Sequence, residues 1–255
     1  MLRVVELALG YGATPVLEAA SLTVADGRFV SLVGPSGSGK STLLRAVMGL
    51  QPASAGRIET NFAKREISIL FQDDALLPWR RAAENVALGL RFHGAERRVA
   101  LAAAEEWLTR LGLDGLGQRY PRELSGGQRK RVALAQVLAL KPRLLLMDEP
   151  FAALDAIVRA RITQDLVDLV ASEGISVLLV THDLEEALSL SDTVYLLSQG
   201  PRARVTAEYP VPIPRPRDVI AARTHPAFAP LLEKLWRDLS REVEGAPPAG
   251  RSVAA

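Results

Sequence analysis

Residues 34–42 read GPSGSGKST, and the placement of that stretch decides the fold. RFVSLVG (28–34), just before it, is a short apolar run of strand formers, and KSTLLRAVMGL (40–50) continues as a helix ending near Gly49. Strand, glycine-rich loop and helix in that order fit the pattern G-x-x-x-x-G-K-[ST]. Gly34, Gly37 and Gly39, interleaved with Pro35, Ser36 and Ser38, let the backbone curl until its N–H groups point inward. Those donors and the positive end of the helix cradle phosphates. Lys40 neutralises β/γ charge, and the Ser41 hydroxyl, followed by Thr42, can ligate Mg²⁺. A merely flexible Gly-Ser turn would need no Lys-Ser-Thr behind it, so the stretch implies binding of a nucleoside triphosphate.

The segments around it read as a sheet wrapped by helices. Strands are expected at LRVVELAL (2–9) and PVLEAASLTV (15–24) upstream, and at GRIET (56–60) and REISILFQ (65–72) downstream. From about Asp73 to Leu140 the pattern is helical. RLLLMDEP (143–150) and ISVLLVTH (175–182) are buried-type strands, with a helix at about 156–172 between them. Apolar strands joined by helices predict a mostly parallel sheet covered on both faces, an α/β core interrupted by a helical insertion at about 73–140. EYPVPIPRPRD (208–218) is proline-rich and expected to be extended and outside the core. An amphipathic helix over 226–243 would align Phe228, Leu232, Leu235, Leu239 and Val243, and the final residues, 245–255, are expected to be disordered. This divides the chain into a main domain, 1–218, and a C-terminal extension, 219–255.

Composition narrows the function classes. A formal net charge of +2 gives no electrostatic case for nucleic acid. The absence of cysteine excludes disulfides and thiolate metal sites. No stretch reaches the ~18–20 apolar residues that a membrane span needs, and the alternating N-terminus with Glu6 is no signal peptide. The chain is expected to be cytoplasmic unless a partner holds it to a membrane.

Three further stretches carry chemistry. LLLMDEP (144–150) is an apolar strand ending in two carboxylates, at the sheet edge where open α/β folds bind ligands. Asp148 is placed to hold Mg²⁺ through water and Glu149 to polarise an attacking water. The second strand ends at His182, which could reach the same γ-phosphate. In LSGGQRKR (124–131), Ser125 and Gln128 form a capping box that starts a helix. Gly126 and Gly127 leave its first N–H groups open to an anion, and Arg129, Lys130 and Arg131 oppose the macrodipole, which pure stability would not select.

Together these residues resemble an ATP-binding cassette (ABC) ATPase across roughly residues 1–200. GPSGSGKS is similar to the Walker A loop, Gln72 to the Q-loop glutamine, LSGGQ to the signature and LLLMDEP to Walker B. FAALD, ending at Asp155, is similar to the D-loop, His182 to the switch histidine, and Tyr11 to the aromatic that stacks on adenine. The resemblance implies an α/β P-loop NTPase core with an N-terminal antiparallel β subdomain. It also implies ATP and Mg²⁺ as ligands, with Ser41, Gln72 and, through water, Asp148 around the metal. A head-to-tail dimer would hold each ATP between Walker A of one subunit and Ser125, Gly126, Gly127 and Gln128 of the other. Gln136 stands where many relatives have Arg; the helix is expected to survive this.

FQDDALLPWRRAAENVALGL (71–90) and PRPRD (214–218) resemble the ATPases of nitrate, taurine and aliphatic sulfonate importers. That implies two integral-membrane permease subunits, contacted through about Leu76–Arg81, an extracytoplasmic solute-binding protein, and a peripheral position on the cytoplasmic face of the inner membrane. Exporter and lipid-trafficking ATPases, importers of a thiamine precursor, and soluble cassette ATPases remain alternatives. For Trp79 two readings stand: an exposed contact for the permease, or a core residue of the helical insertion.

Overall fold

A computed structural model describes residues 1–152 and 154–244. Strand β1 (Leu2–Tyr11) pairs antiparallel with β2 (Thr14–Val24) and with β4 (Ala55–Thr60), making a three-stranded sheet at the N-terminal side. The second sheet has the order β5 (Ile67–Leu70), β6 (Leu144–Asp148), β7 (Ser176–Thr181), β3 (Phe29–Val33), β8 (Thr193–Leu197), β9 (Val205–Pro210). Its pairings are parallel except for β8–β9. Helix α1 (Lys40–Val47) follows β3; α2 (Ala82–Phe92), α3 (Arg97–Arg110) and α4 (Gly126–Leu138) form the helical insertion. Helices α5 (Ala156–Ser172), α6 (Leu184–Leu190) and α7 (Phe228–Glu244) complete the described chain.

Both faces of the central strands are buried because their side chains alternate between two cores. Leu145, Met147, Val177 and Leu179 face α2–α5, whereas Leu144, Leu146, Leu178 and Val180 face α1 and the antiparallel sheet. Each fully buried aliphatic side chain contributes about 1.5–3 kcal/mol, so a strand such as β7, buried along its whole length, cannot be peeled away cheaply. The expected helix over 156–172 and the helical region after Asp73 are found, although residues 73–81 are an irregular segment before α2. Helix α4 runs unbroken through Gln136.

The expectation that 208–218 lies outside the core is overturned. Tyr209, Val211, Ile213 and Arg217 are buried, while Pro210, Pro212 and Pro214 between them are exposed. The segment extends an edge strand, where proline costs no ladder hydrogen bond, and its period of two turns the apolar residues inward. Asp192 anchors its end: Arg215 Nε donates to Asp192 Oδ1 at 3.0 Å, and Arg217 Nη2 donates to the Ser191 carbonyl at 2.7 Å. Helix α7 begins at Phe228 rather than 226; Phe228 and Leu235 are buried, Leu232 and Leu239 half-buried, and Val243 exposed. The tail expected to be disordered, 245–255, lies outside the described residues.

Candidate functional site

Strand register brings the candidate residues to one edge. Val33 of β3 pairs with Thr181 of β7, and Asp148 of β6 pairs with Val180. Gly34, Glu149 and His182 therefore leave the sheet side by side. The Glu149 N–H donates to the Val180 carbonyl at 2.9 Å, which ties the carboxylate strand to the histidine strand. Glu149 takes a φ of 44°, a left-handed conformation that costs a non-glycine residue about 1–3 kcal/mol and is characteristic of constrained sites.

The loop over 34–39 needs its glycines for separate reasons. At Gly34 a Cβ would lie 2.7 Å from the Leu197 carbonyl oxygen of β8. Gly39 caps α1 with a φ of 94°, and a Cβ there would meet Val16 Cγ1 at 2.5 Å. Lys40 curls back across the loop and donates to the carbonyls of Gly34 and Pro35, both at 2.8 Å. Burial lowers the Lys40 pKa, opposed by the charges of Glu149 and Asp148. Among the described residues Ser38 Oγ is buried inside this loop without a hydrogen-bond partner, a donor left for a ligand.

Ser41 Oγ donates to Asp148 Oδ1 at 2.9 Å, joining the start of α1 to the end of β6. Burial pushes the Asp148 carboxyl up, and the Ser41 hydrogen bond pulls it back. A serine hydroxyl beside one carboxylate is a hard-oxygen donor set that suits Mg²⁺ completed by phosphate and water. Among the described residues no cluster of three His, Cys, Asp or Glu side chains could hold a metal by itself. Next to this pair, His182 Nδ1 lies 3.0 Å from Glu149 Oε2, with Glu149 sheltered and His182 largely exposed.

Other candidates sit apart. Tyr11 is exposed at the end of β1, its hydroxyl 3.4 Å from Arg45 Nη1. Gln72 lies two residues beyond β5 and is exposed; its carbonyl accepts from Lys130 Nζ at 3.1 Å. Among the described residues no hydrogen bond joins its side chain to Ser41 or Asp148. Asp155 caps α5, accepting from the Val158 N–H at 3.0 Å. The capping box forms as expected: Gln128 N–H donates to Ser125 Oγ at 3.3 Å and Ser125 N–H donates to Gln128 Oε1 at 2.9 Å.

The basic first turn of α4 requires a correction. Lys130 is buried and paired with Asp74 at 2.8 Å, while Arg129 Nη1 donates to the Leu124 carbonyl at 2.8 Å. Arg131 Nη2 donates to Asp165 at 2.8 Å. Internal partners explain these charges, so the argument for an anion at this helix start rests on Ser125 and Gly126. Gly127 answers to packing, since a Cβ there would lie 2.7 Å from Val158 Cγ1.

The segment after Gln72 is shaped by a residue outside it, whose role the Asn-Val sequence does not reveal. Asn85, fully buried on α2, accepts from the Leu77 N–H at 2.7 Å and donates to the carbonyls of Leu77, Arg80 and Arg81 at 3.0–3.2 Å. It holds the turn so that Leu76 packs inward while Trp79, 70% exposed, points to solvent. The core reading of Trp79 is thereby excluded. Glu186, with Arg159 and Asp183, lines the cleft that contains Glu149 and His182. In the sequence it is only the second glutamate of an ordinary-looking helix, which marks no site.

Known proteins resemble this chain in sequence and in fold. The family profile for ABC transporters matches residues 17–152. An aliphatic sulfonates import ATP-binding protein, SsuB 2 of Nocardia farcinica, is 45% identical over 96% of this chain and 98% of its own length. The taurine import ATP-binding protein TauB of Escherichia coli K12 is 43% identical, covering 83% of this chain and 84% of its own. Among solved structures, a dimeric post-hydrolysis state of the ATP-binding cassette MJ0796 bound to ADP and Pi superposes with a TM-score of 0.74 at 31% identity. That match covers 83% of this chain and 99% of the other.

Proposed function

The chain belongs to the ABC transporter family, and from that premise we propose that it is the ATP-hydrolysing subunit of an importer of aliphatic sulfonate- or taurine-like solutes. The observation that carries the enzymatic part is the meeting of Ser41 with Asp148 and of Glu149 with His182 at one sheet edge. The solute class follows the curated relatives.

In this reading the loop over Gly34–Thr42, with Pro35, Ser36, Gly37, Ser38, Gly39 and Lys40, binds the triphosphate, and Tyr11 stacks on the base. Ser41, Gln72 and, through water, Asp148 would hold Mg²⁺, which would supply charge neutralisation at the phosphates. Glu149 orients and deprotonates the attacking water, and His182 steadies Glu149 and the γ-phosphate. Ser125, Gly126, Gly127 and Gln128 of a second copy close over the nucleotide, with Asp155 at the seam. Residues 1–218 form the ATPase domain and 219–255 an extension. Two permease subunits dock through Leu76–Arg81, bringing the chain to the cytoplasmic face of the inner membrane, and a solute-binding protein delivers from the other side. Consistent with a peripheral subunit, no helix among the described residues is long and apolar enough to cross a membrane.

Glu149→Gln should abolish hydrolysis and trap an ATP-bound dimer, detected by size-exclusion chromatography with ATP. Unchanged turnover would remove Glu149 from its role. In vesicles containing the assembled transporter, taurine or an alkanesulfonate with its binding protein should stimulate wild-type ATPase activity several-fold; stimulation by nitrate alone would redirect the solute assignment.

A further inference from the structure

Helix α5 touches both ends of the proposed machinery within its first two turns. On one side Val158 and Ile162 back onto Gly127, where an added Cβ would lie 2.7 Å from Val158 Cγ1 and 3.6 Å from Ile162 Cδ1. One residue further, Arg159 faces the catalytic cleft. Its Nη2 donates to the Leu154 carbonyl at 3.0 Å, and its Nη1 lies 3.6 Å from Asp183 Oδ2. Asp183 directly follows His182. It caps α6 by accepting from the Glu186 N–H at 3.0 Å, and its own N–H donates to Thr181 Oγ1 at 3.1 Å. The guanidinium thus spans the entry to α5 and the turn that carries His182.

Stability alone does not explain Arg159. Among the described residues its Nε is buried without a partner, a defect that destabilises the fold and that an aliphatic residue would avoid. The Asp183 cap and the Asp155 cap each close without it. What the arginine adds is a fixed distance between the Leu154 carbonyl and the His182–Asp183 turn. Such a strut matters to a site whose reacting groups must be held closely, since misplacement by about 1 Å can cost 10²-fold in rate.

We propose that Arg159 is a positioning residue for the Glu149–His182 pair, locking the His182–Asp183 turn to the start of α5, whose adjoining Val158 rests on Gly127. The role depends on the reading of Glu149 and His182 as the hydrolytic pair. It makes the first turns of α5 the physical link, inside one subunit, between the helix start that closes on a partner's nucleotide and the groups acting on its own.

The test uses the full chain and compares wild type with Arg159→Ala and Asp183→Asn. Asparagine keeps the cap of α6 and removes the carboxylate charge that faces Arg159. Arg159→Ala should lower kcat about tenfold or more, with KM for ATP and ATP affinity within about twofold and the unfolding midpoint little changed. Asp183→Asn should lower kcat several-fold, and the double variant should be no slower than Arg159→Ala, as expected for groups acting as one unit. Full kcat in either single variant on an active wild type would overturn the role of Arg159 alone. So would fully multiplicative losses in the double variant, or a loss of ATP affinity that accounts for the whole effect. If Arg159→Ala does not fold, kcat in Asp183→Asn decides. A wild-type chain that hydrolyses no ATP would overturn the reading of the site, and this role with it.

Discussion

Glu186 shows how a single side chain can report on the cleft it lines. Burial pushes its carboxyl from the usual 4.5 up to about 7; the Thr181 hydrogen bond opposes the shift and the Asp183 charge adds to it. Between those two values the folded chain binds a proton that the unfolded chain has lost, so stability falls as pH rises through the window. Glu186→Gln is neutral throughout and should flatten this part of the profile. Relative to wild type, its unfolding midpoint should be higher at about pH 8 than at about pH 5; an equal difference at both pH values would show that Glu186 titrates normally. Glu149 and Asp148 were legible in the sequence because an apolar strand ending in two carboxylates is conspicuous. Glu186 and Arg159 were not, because each is an ordinary charge on an ordinary helix until the fold brings β7 beside α5.

Helix α2 and the turn before it illustrate the next level. The Leu-Leu-Pro-Trp segment fits neither helix nor strand periodicity, and its shape is imposed by Asn85 from outside the segment. Asn85→Ala would strand the Leu77 N–H and remove the donor to three carbonyls. It should lower stability by about 1–3 kcal/mol in chemical denaturation and weaken assembly with the permease. Trp79→Ala, at a 70% exposed side chain, should leave stability within about 0.5 kcal/mol yet impair assembly and coupled ATPase activity. Intact assembly in Trp79→Ala would end its assignment as a contact. The α4 charges teach the converse: Arg129, Lys130 and Arg131 looked like an anion site in the sequence, and partners distant in the chain, Asp74 and Asp165, account for Lys130 and Arg131.

Across the molecule, no hydrogen bond among the described residues joins the capping-box helix to the loop over 34–39, so the two can be tested separately. Ser125→Arg should leave ATP binding to the monomer unchanged, because Lys40, Ser41 and Asp148 stay in place, and should block ATP-dependent dimerisation of the Glu149→Gln chain. Loss of binding itself, measured by equilibrium titration, would count against a site shared between two subunits.

Local residue order was enough to locate the glycine-rich loop over 34–42, the carboxylate and histidine strand ends, the helix start at Ser125 and the alternation of sheet and helix. Each of these is written in local residue order, as periodicity, glycine placement or a cap. Chain-distant contacts were needed to show that Tyr209, Val211, Ile213 and Arg217 of 208–218 turn into the core, that Trp79 is exposed, that the α4 cations are occupied, and that Arg159 bridges Leu154 to Asp183. Those properties depend on which distant residues meet, and no local pattern encodes a partner dozens of positions away.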